Sequence, residues 1–407
     1  MSSVLYRTGS IFLLLLASLL LLASGAPALA QRAVTTPSAT MVSPEAAITA
    51  APPGFPQTNF VWGGEWETHE QAELTKPDRS DAKATVFSDQ NLSLYGNYSN
   101  WLSAYGVVHL ERTRQDNADD YYPDRNSFLR SEALTLRQLF ATLRPSPDWS
   151  IYGGKIHPAF GSAYAQAPGN FYNFASDYEQ DERIGAGVAY RIPDRIGQTN
   201  LQLSAEAFFL DTGVLSNTLL SRPSQSDPTA DRARRYRLAQ FGPSNTDKPD
   251  SFTLALRGGQ PERGLTYQIS LTRETSLEPG GRTECGQSIG ASYDPTGDGI
   301  PLGARWGVTP FLEYAHFDNF AGTAGLEAHY LIGGLTFTHA RWQLAIATGL
   351  RNQNNSSAKS LDRQENISLN YALTPTLSVG GGVNYINVTG QGGSWSFGPS
   401  LSTSFAF

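Results

Sequence analysis

Four carboxylates fall within six residues at Asp177, Glu179, Asp181 and Glu182, directly after the aromatic run Phe171-Tyr172-Asn173-Phe174. On an open surface such a cluster is merely solvated. In a confined space its charges are screened less and set a local field that acts on passing ions. A second cluster, Arg232, Arg234, Arg235 and Arg237 around Tyr236, suits an anionic neighbour such as lipopolysaccharide, the lining of a lumen, or plain solvation. Covalent chemistry has weaker claims. Gly286-Gln287-Ser288-Ile289-Gly290 satisfies the nucleophile pattern G-x-S-x-G and is followed by Asp294 and His316. That pattern works only where a strand turns sharply into a helix, and Ala291-Ser292-Tyr293-Asp294-Pro295 cannot start one. The stretch Asp294 to Gly299 imitates the opening of a calcium loop, yet Arg305 stands where the bidentate glutamate belongs. It reads as a turn. His69, His109, His157, His316, His329 and His339 show no paired ligand spacing. Neither enzyme activity, metal nor cofactor is expected.

The chain that must position these groups begins with an address. Arg7, the apolar stretch Ile11 to Ala23 and Ala28-Leu29-Ala30 before Gln31 fit a cleaved secretory signal over residues 1–30. Ser24, Gly25 and Pro27 end the apolar stretch before the roughly twenty residues that a spanning helix needs. Cleavage removes only Arg7 among the charged residues, leaving 29 basic and 37 acidic side chains, net −8. That balance gives no footprint for nucleic acid. Residues 31–58, with Pro37, Pro44, Pro52, Pro53 and Pro56, read as a flexible periplasmic leader. One cysteine in 407 residues excludes a disulfide framework.

From residue 59 onward, stretches of about ten residues alternate apolar and polar positions, the signature of strands with one wet face. In Leu102 to Arg112, for example, Leu102, Ala104, Val108 and Leu110 oppose Ser103, Tyr105, His109 and Glu111. Link lengths alternate as well. Short links at 99–100, 145–148, 193–199, 259–264, 339–341 and 374–375 are separated by long polar stretches at 113–132, 158–182, 211–250 and 352–364. Soluble sandwiches lack that asymmetry; transmembrane barrels, with short periplasmic turns and long external loops, show it. Trp101, Trp149, Tyr190, Trp306, Trp342 and Tyr371 gather near strand ends, as an interfacial girdle requires. Fifteen strands are directly visible, the first over 60–68. An even number is needed to bring both termini to one side, and Glu284 to Tyr293 supplies the sixteenth. The expected fold is all-β, a transmembrane antiparallel up-and-down barrel over 59–407, wide enough for an aqueous lumen.

The segment Leu139 to Pro145 followed by Trp149-Ser150-Ile151-Tyr152-Gly153-Gly154-Lys155-Ile156-His157-Pro158-Ala159-Phe160-Gly161 resembles a strand-turn-strand of Gram-negative outer-membrane porins, notably the phosphate-selective-type group. Ser400 to Phe407 is similar to the terminal strand of outer-membrane proteins, whose last aromatic residue is read by the barrel-assembly machinery. The resemblance covers about 85–210 and 300–407. It implies a passive diffusion channel for small hydrophilic solutes or ions, in contact with outer-membrane lipid and lipopolysaccharide and often trimeric. Phosphate selectivity is not carried over, because no lysine-rich or arginine-rich ladder is evident. If 158–182 folds into the lumen, Asp177, Glu179, Asp181 and Glu182 would face Arg144, Arg191, Arg257 or Arg351 across a narrow opening and favour cations mildly; otherwise the loop lies outside in solvent. Phe405 and Phe407 share outward parity with Leu401 and would serve as the assembly signal. The rivals are a closed or plugged barrel with a structural or surface-binding role, and a barrel-embedded hydrolase using Ser288.

Overall fold

Strands that alternate apolar and polar side chains are satisfied in a sheet with two unlike faces, and sixteen of them here close into one antiparallel barrel. The computed structural model describes residues 60–407 apart from 79–80, 113–126, 129–131, 172, 194–199, 217–241, 261–263, 278, 296–298, 303–305 and 357. The signal sequence, the leader and the Arg232–Arg237 cluster lie outside the described residues. In chain order the strands are β1 (Phe60–Pro77), β2 (Lys83–Tyr98), β3 (Leu102–Arg112), β4 (Glu132–Ser146), β5 (Trp149–Ile156), β6 (Arg183–Arg191), β7 (Gln202–Leu210) and β8 (Ser251–Gln260). The second half comprises β9 (Leu265–Glu274), β10 (Glu284–Tyr293), β11 (Gly307–Asp318), β12 (Glu327–His339), β13 (Trp342–Asn354), β14 (Lys359–Thr374), β15 (Leu377–Val388) and β16 (Gly392–Ala406). Each pairs with its sequence neighbour, and β1 pairs with β16 to close the ring. The inferred strand Glu284 to Tyr293 is β10, with the expected bounds.

The two faces invert the soluble pattern. On β14 the inward Gln364, Asn366, Ser368 and Asn370 are buried, while the outward Leu361, Ile367, Leu369 and Leu373 are exposed. On β16, Ser394, Ser396, Ser400 and Ser402 are buried and Trp395, Phe397, Leu401 and Phe405 exposed. A wall of this polarity requires an apolar medium outside and a polar lumen within. The aromatic girdle gathers on the rim that carries the short turns. There Tyr98 meets Trp101 at 6.0 Å, Trp149 meets Tyr190 at 4.5 Å and Trp342 meets Tyr371 at 4.6 Å.

Several strands run further than the alternation suggests. β1 continues to Pro77, and most of 352–364, expected as a long loop, belongs to β13 and β14, leaving only 355–358 as the link. Toward the opposite, long-loop rim the outward positions become polar, as at Asn352, Arg363 and Glu365, so the apolar period fades although the ladder continues.

Closure rests on the last strand. Glu65 stands opposite Ala406 and Trp66 opposite Phe405. Phe407 exchanges two backbone hydrogen bonds with Gly64, both 3.0 Å, and its ring meets Trp62 edge-on at 6.4 Å. Deleting Phe407 removes both bonds at the seam, and we expect a lower yield of heat-modifiable folded barrel. Unchanged yields in membrane fractions would show that the seam forms without it.

Candidate functional site

The link between β5 and β6, residues 157–182, enters the barrel and is fastened to the inner wall on many strands. Its residues Phe160, Ala163, Phe174, Ala175 and Tyr178 pack on Phe311, Ala315 and Phe317 of β11, Ala328, Tyr330 and Ile332 of β12, and Ile386 and Val388 of β15. Those strand positions replace the usual polar lumen residues with a local apolar seat, which contributes about 25 cal/mol per Å2 of apolar surface removed from water.

Polar bonds fix the orientation. Glu313, alone among apolar inward neighbours on β11, takes the backbone N–H groups of Ser162 (2.5 Å) and Ala163 (3.1 Å) and the Ser162 hydroxyl (2.6 Å) on Oε2, and the Tyr178 hydroxyl (2.7 Å) on Oε1. Burial and the facing Glu313 hold the Tyr178 hydroxyl protonated well above its ordinary range. Glu206 of β7 accepts the Ala159 N–H at 2.7 Å, and Gln268 of β9 donates to the carbonyls of Ala159 and Gly161. Gln180 donates to Thr272 and Glu274, and Asn170 reaches Asn370 on β14 and Ser400 on β16. Gly169, at φ +121°, comes so close to Asn366 that a Cβ would stand 2.8 Å from its side chain. The loop thus has anchors most of the way round the lumen. Two short helical pieces, α1 (Ala163–Gln166) and a 3-10 turn Phe174–Asp177 capped by the Asn173 side chain, build it.

The four carboxylates are mostly neutralised by close partners. Asp177 joins Arg351 at 2.9 Å, and Arg351 also binds Asp362 and lies over the Phe174 ring. Glu179 and Asp181 share Arg137, at 3.2 and 2.5 Å. Glu182 stands 3.8 Å from Lys155, which is bound more tightly to Asp211 at 2.9 Å. Burial pushes the Asp181 carboxyl up, but the Arg137 charge, together with His157, more than reverses this and holds it well below the usual carboxylate range. A folded pKa below the unfolded one gives stability that is present at neutral pH and lost only as pH falls through the depressed value. Of the expected basic residues, Arg351 meets the loop directly. Arg144 donates to Ser103 at 3.2 Å, Arg191 is exposed at the short-turn end of β6, and Arg257 donates to Gln268 at 2.7 Å.

Arg137 and Glu313 were not anticipated from the sequence. Arg137 turns inward because a bulge interrupts the β3–β4 register between Val107 and Val108, setting Arg137 and Gln138 on the same side. The consecutive polar pair in Leu136-Arg137-Gln138-Leu139 is the trace it leaves. Glu313 shows itself only as a carboxylate on the inward parity of Phe311 and Ala315.

Ser288 sits in mid-strand on β10, its hydroxyl 2.5 Å from that of Ser270, while His316 is paired with Gln287 on the opposite face of the wall. The nucleophile pattern therefore has neither its turn nor its base. His157, Glu179 and Asp181 bring ligand atoms within 4.8 Å of one another, but Arg137 already supplies the cation among them. Asp294 accepts the Gly299 N–H at 2.8 Å and closes a turn.

No family model matches the chain, and no curated protein does. Solved structures do. The anion-selective porin of Comamonas acidovorans aligns at 12% identity and TM-score 0.51, over 85% of this chain and 99% of its own. OprB of Pseudomonas putida aligns at 11% and 0.50, over 85% and 94%, and a loop-deletion form of the outer membrane protein OmpT of Vibrio cholerae at 11% and 0.50, over 86% and 100%. The barrel has the porin fold.

Within that fold Glu313 holds the inward loop to the wall. Glu313→Ala strips the acceptor from four donors, and we expect the docked loop to lose about 3 kcal/mol or more. Limited proteolysis of the folded barrel should then cut within 157–182, where the parent resists; equal resistance would show that the apolar seat alone holds the loop.

Proposed function

We propose that the chain is an outer-membrane porin of a Gram-negative bacterium, a passive diffusion channel for small hydrophilic solutes and ions that performs no covalent chemistry. The observation that carries this reading is the loop 157–182, anchored across a polar lumen inside a closed sixteen-strand wall. Such a loop narrows the passage while the wall keeps it wet. The outward apolar band and the aromatic rim suit lipid. On the long-loop rim, Arg273 over Phe252 and Arg363 over Tyr385, each near 5.8 Å, suit the anionic headgroups of lipopolysaccharide. The seam at Phe405 and Phe407 is offered to the barrel-assembly machinery. On the outward face of β1 and β2, Ser88 donates to Glu70 at 2.7 Å and Gln90 donates to Ser88 at 2.8 Å, a polar patch better suited to another protein copy than to lipid. This supports a homotrimer, and a monomeric mass in mild detergent would remove that part of the reading.

Because the loop carboxylates are paired, selectivity falls to the wall. Glu65, Glu67 and Glu73 on β1 share the inward parity of Gln71 and Thr75, and Glu65 accepts a bond from the inward Ser404. Acidic walls favour cations. Reconstituted in planar bilayers, the folded protein should give discrete conductance steps with a mild cation preference. Glu67→Gln combined with Glu73→Gln should move the reversal potential in a salt gradient toward anions, most strongly at low salt. Folded protein without conductance would favour the closed or plugged barrel instead, and an unmoved reversal potential would place selectivity elsewhere.

A further inference from the structure

On the outer face of β10, β11 and β12, close to the long-loop rim, the ladder sets one row of side chains: Gln287 opposite His316, and His316 opposite His329. Residues directly opposite on neighbouring strands bring their Cβ atoms to about 5 Å. The two imidazole rings accordingly lie 4.5 Å apart, tilted by 32°. One step nearer the rim, Asp318 ends β11 on the same face, and its Oδ1 stands 3.9 Å from Nε2 of His316. No linear spacing announces this group, because only the pairing of β11 with β12 brings His329 beside His316.

Each ring is held by its other nitrogen. Nδ1 of His316 meets the Gln287 side chain at 3.3 Å, and Nδ1 of His329 meets the Tyr314 hydroxyl at 2.9 Å. The Tyr314 hydroxyl can accept an Nδ1 proton, and so can the Gln287 amide through its oxygen after a flip of the side chain, which leaves the lone pair on Nε2. The two nitrogens of an imidazole face nearly opposite ways. Nε2 of His316 is therefore turned away from β10, and Nε2 of His329 away from Tyr314, which lies deeper in the wall, and so toward the rim. Nε2 of His329 makes no hydrogen bond among the described residues. Asp318 is 60% exposed and acts electrostatically on His329 as well, so its carboxylate can swing between the two rings.

We propose that His316, His329 and Asp318 form an external site for a divalent transition ion of the zinc type, ligated by both Nε2 atoms and one carboxylate oxygen, with water in the fourth position. Zinc takes imidazole nitrogen and carboxylate oxygen at about 2 Å in a tetrahedron, which sets its ligand atoms roughly 3 to 4 Å from one another. The 3.9 Å between Nε2 of His316 and Oδ1 of Asp318 already lies in that range. Calcium and magnesium take oxygen ligands, so a pair of imidazoles selects against them. The Tyr314 and Gln287 contacts are the outer support that ligating histidines require. An ion here ties β11 to β12 at the foot of the link 319–326. The site needs only the outer wall, and it stands whether or not the lumen conducts.

The test uses the full folded barrel in detergent, carrying Cys285→Ser so that the sole thiol, which stands opposite Asp318, does not compete. Titrated calorimetrically with zinc chloride in a non-chelating buffer, it should take up one ion per chain, with calcium and magnesium about a hundredfold weaker or more. His316→Ala and His329→Ala each remove a ligand and should weaken zinc about a hundredfold or more, whereas Tyr314→Phe removes only an outer support and should weaken it about tenfold. Heat-modifiability shows that each variant is folded. Zinc should also raise the unfolding temperature of the barrel with both histidines and leave that of the double alanine variant unmoved, since an ion that binds only the native state stabilises it. Calcium binding as tightly as zinc would overturn the site. Zinc affinity unchanged in both folded histidine variants would overturn it too and move the ion elsewhere, first to His157, Glu179 and Asp181.

Discussion

A sheet that faces hydrocarbon cannot have an edge, because every unpaired N–H or C=O exposed there costs several kcal/mol. That constraint explains the seam between β1 and β16, where Phe407 and Gly64 exchange both of their backbone bonds. It also dictates the polarity of the wall, since with the backbone paired all round the only remaining freedom is which side chains face in and which out. Alternation settles this along much of the wall, with serines, asparagines and glutamines inward and leucines, isoleucines and tryptophans outward, and the apolar seat on β11, β12 and β15 is the local departure. Within the proposed outer-membrane setting, the aromatic rim marks where hydrocarbon gives way to headgroups.

A wide lumen lined by serine and asparagine creates a second problem, which the loop 157–182 answers. A free loop of that length would cost considerable conformational entropy to order. The barrel supplies compensation in two forms. An apolar seat on β11, β12 and β15 buries the loop's aromatic residues, and a few buried charged groups fix its direction. Glu313 and Arg137 are the chief examples. Each would be expensive alone in the interior, and each is matched by several partners from the loop, so wall and loop are mutually dependent.

The electrostatics follow from that dependence. Carboxylates that hold the loop in place cannot also serve as an unopposed charge ring, because Arg137 and Arg351 neutralise most of them at contact distance. The unlike charges that the wall itself carries lie apart, Glu65, Glu67 and Glu73 on β1 and Arg144, Arg191 and Arg257 on β4, β6 and β8.

The sequence by itself determined the barrel. Period-two alternation, alternating link lengths and the even strand count are local or arithmetical properties, and they located even Glu284 to Tyr293, which carries little apolar signal. They erred where outward residues turn polar, beyond the apolar band, as in 352–364. Partners across the lumen were another matter. Asp177 with Arg351 is separated by 174 residues and Ser162 with Glu313 by 151, and no period connects them. Whether the loop turned inward, and that Arg137 rather than Arg144 or Arg191 would receive Glu179 and Asp181, was decided by closure of the ring and by one bulge in β4. Those are properties of the assembled wall, and they set which charges meet, because side-chain pairing in a barrel depends on register and curvature as well as on composition.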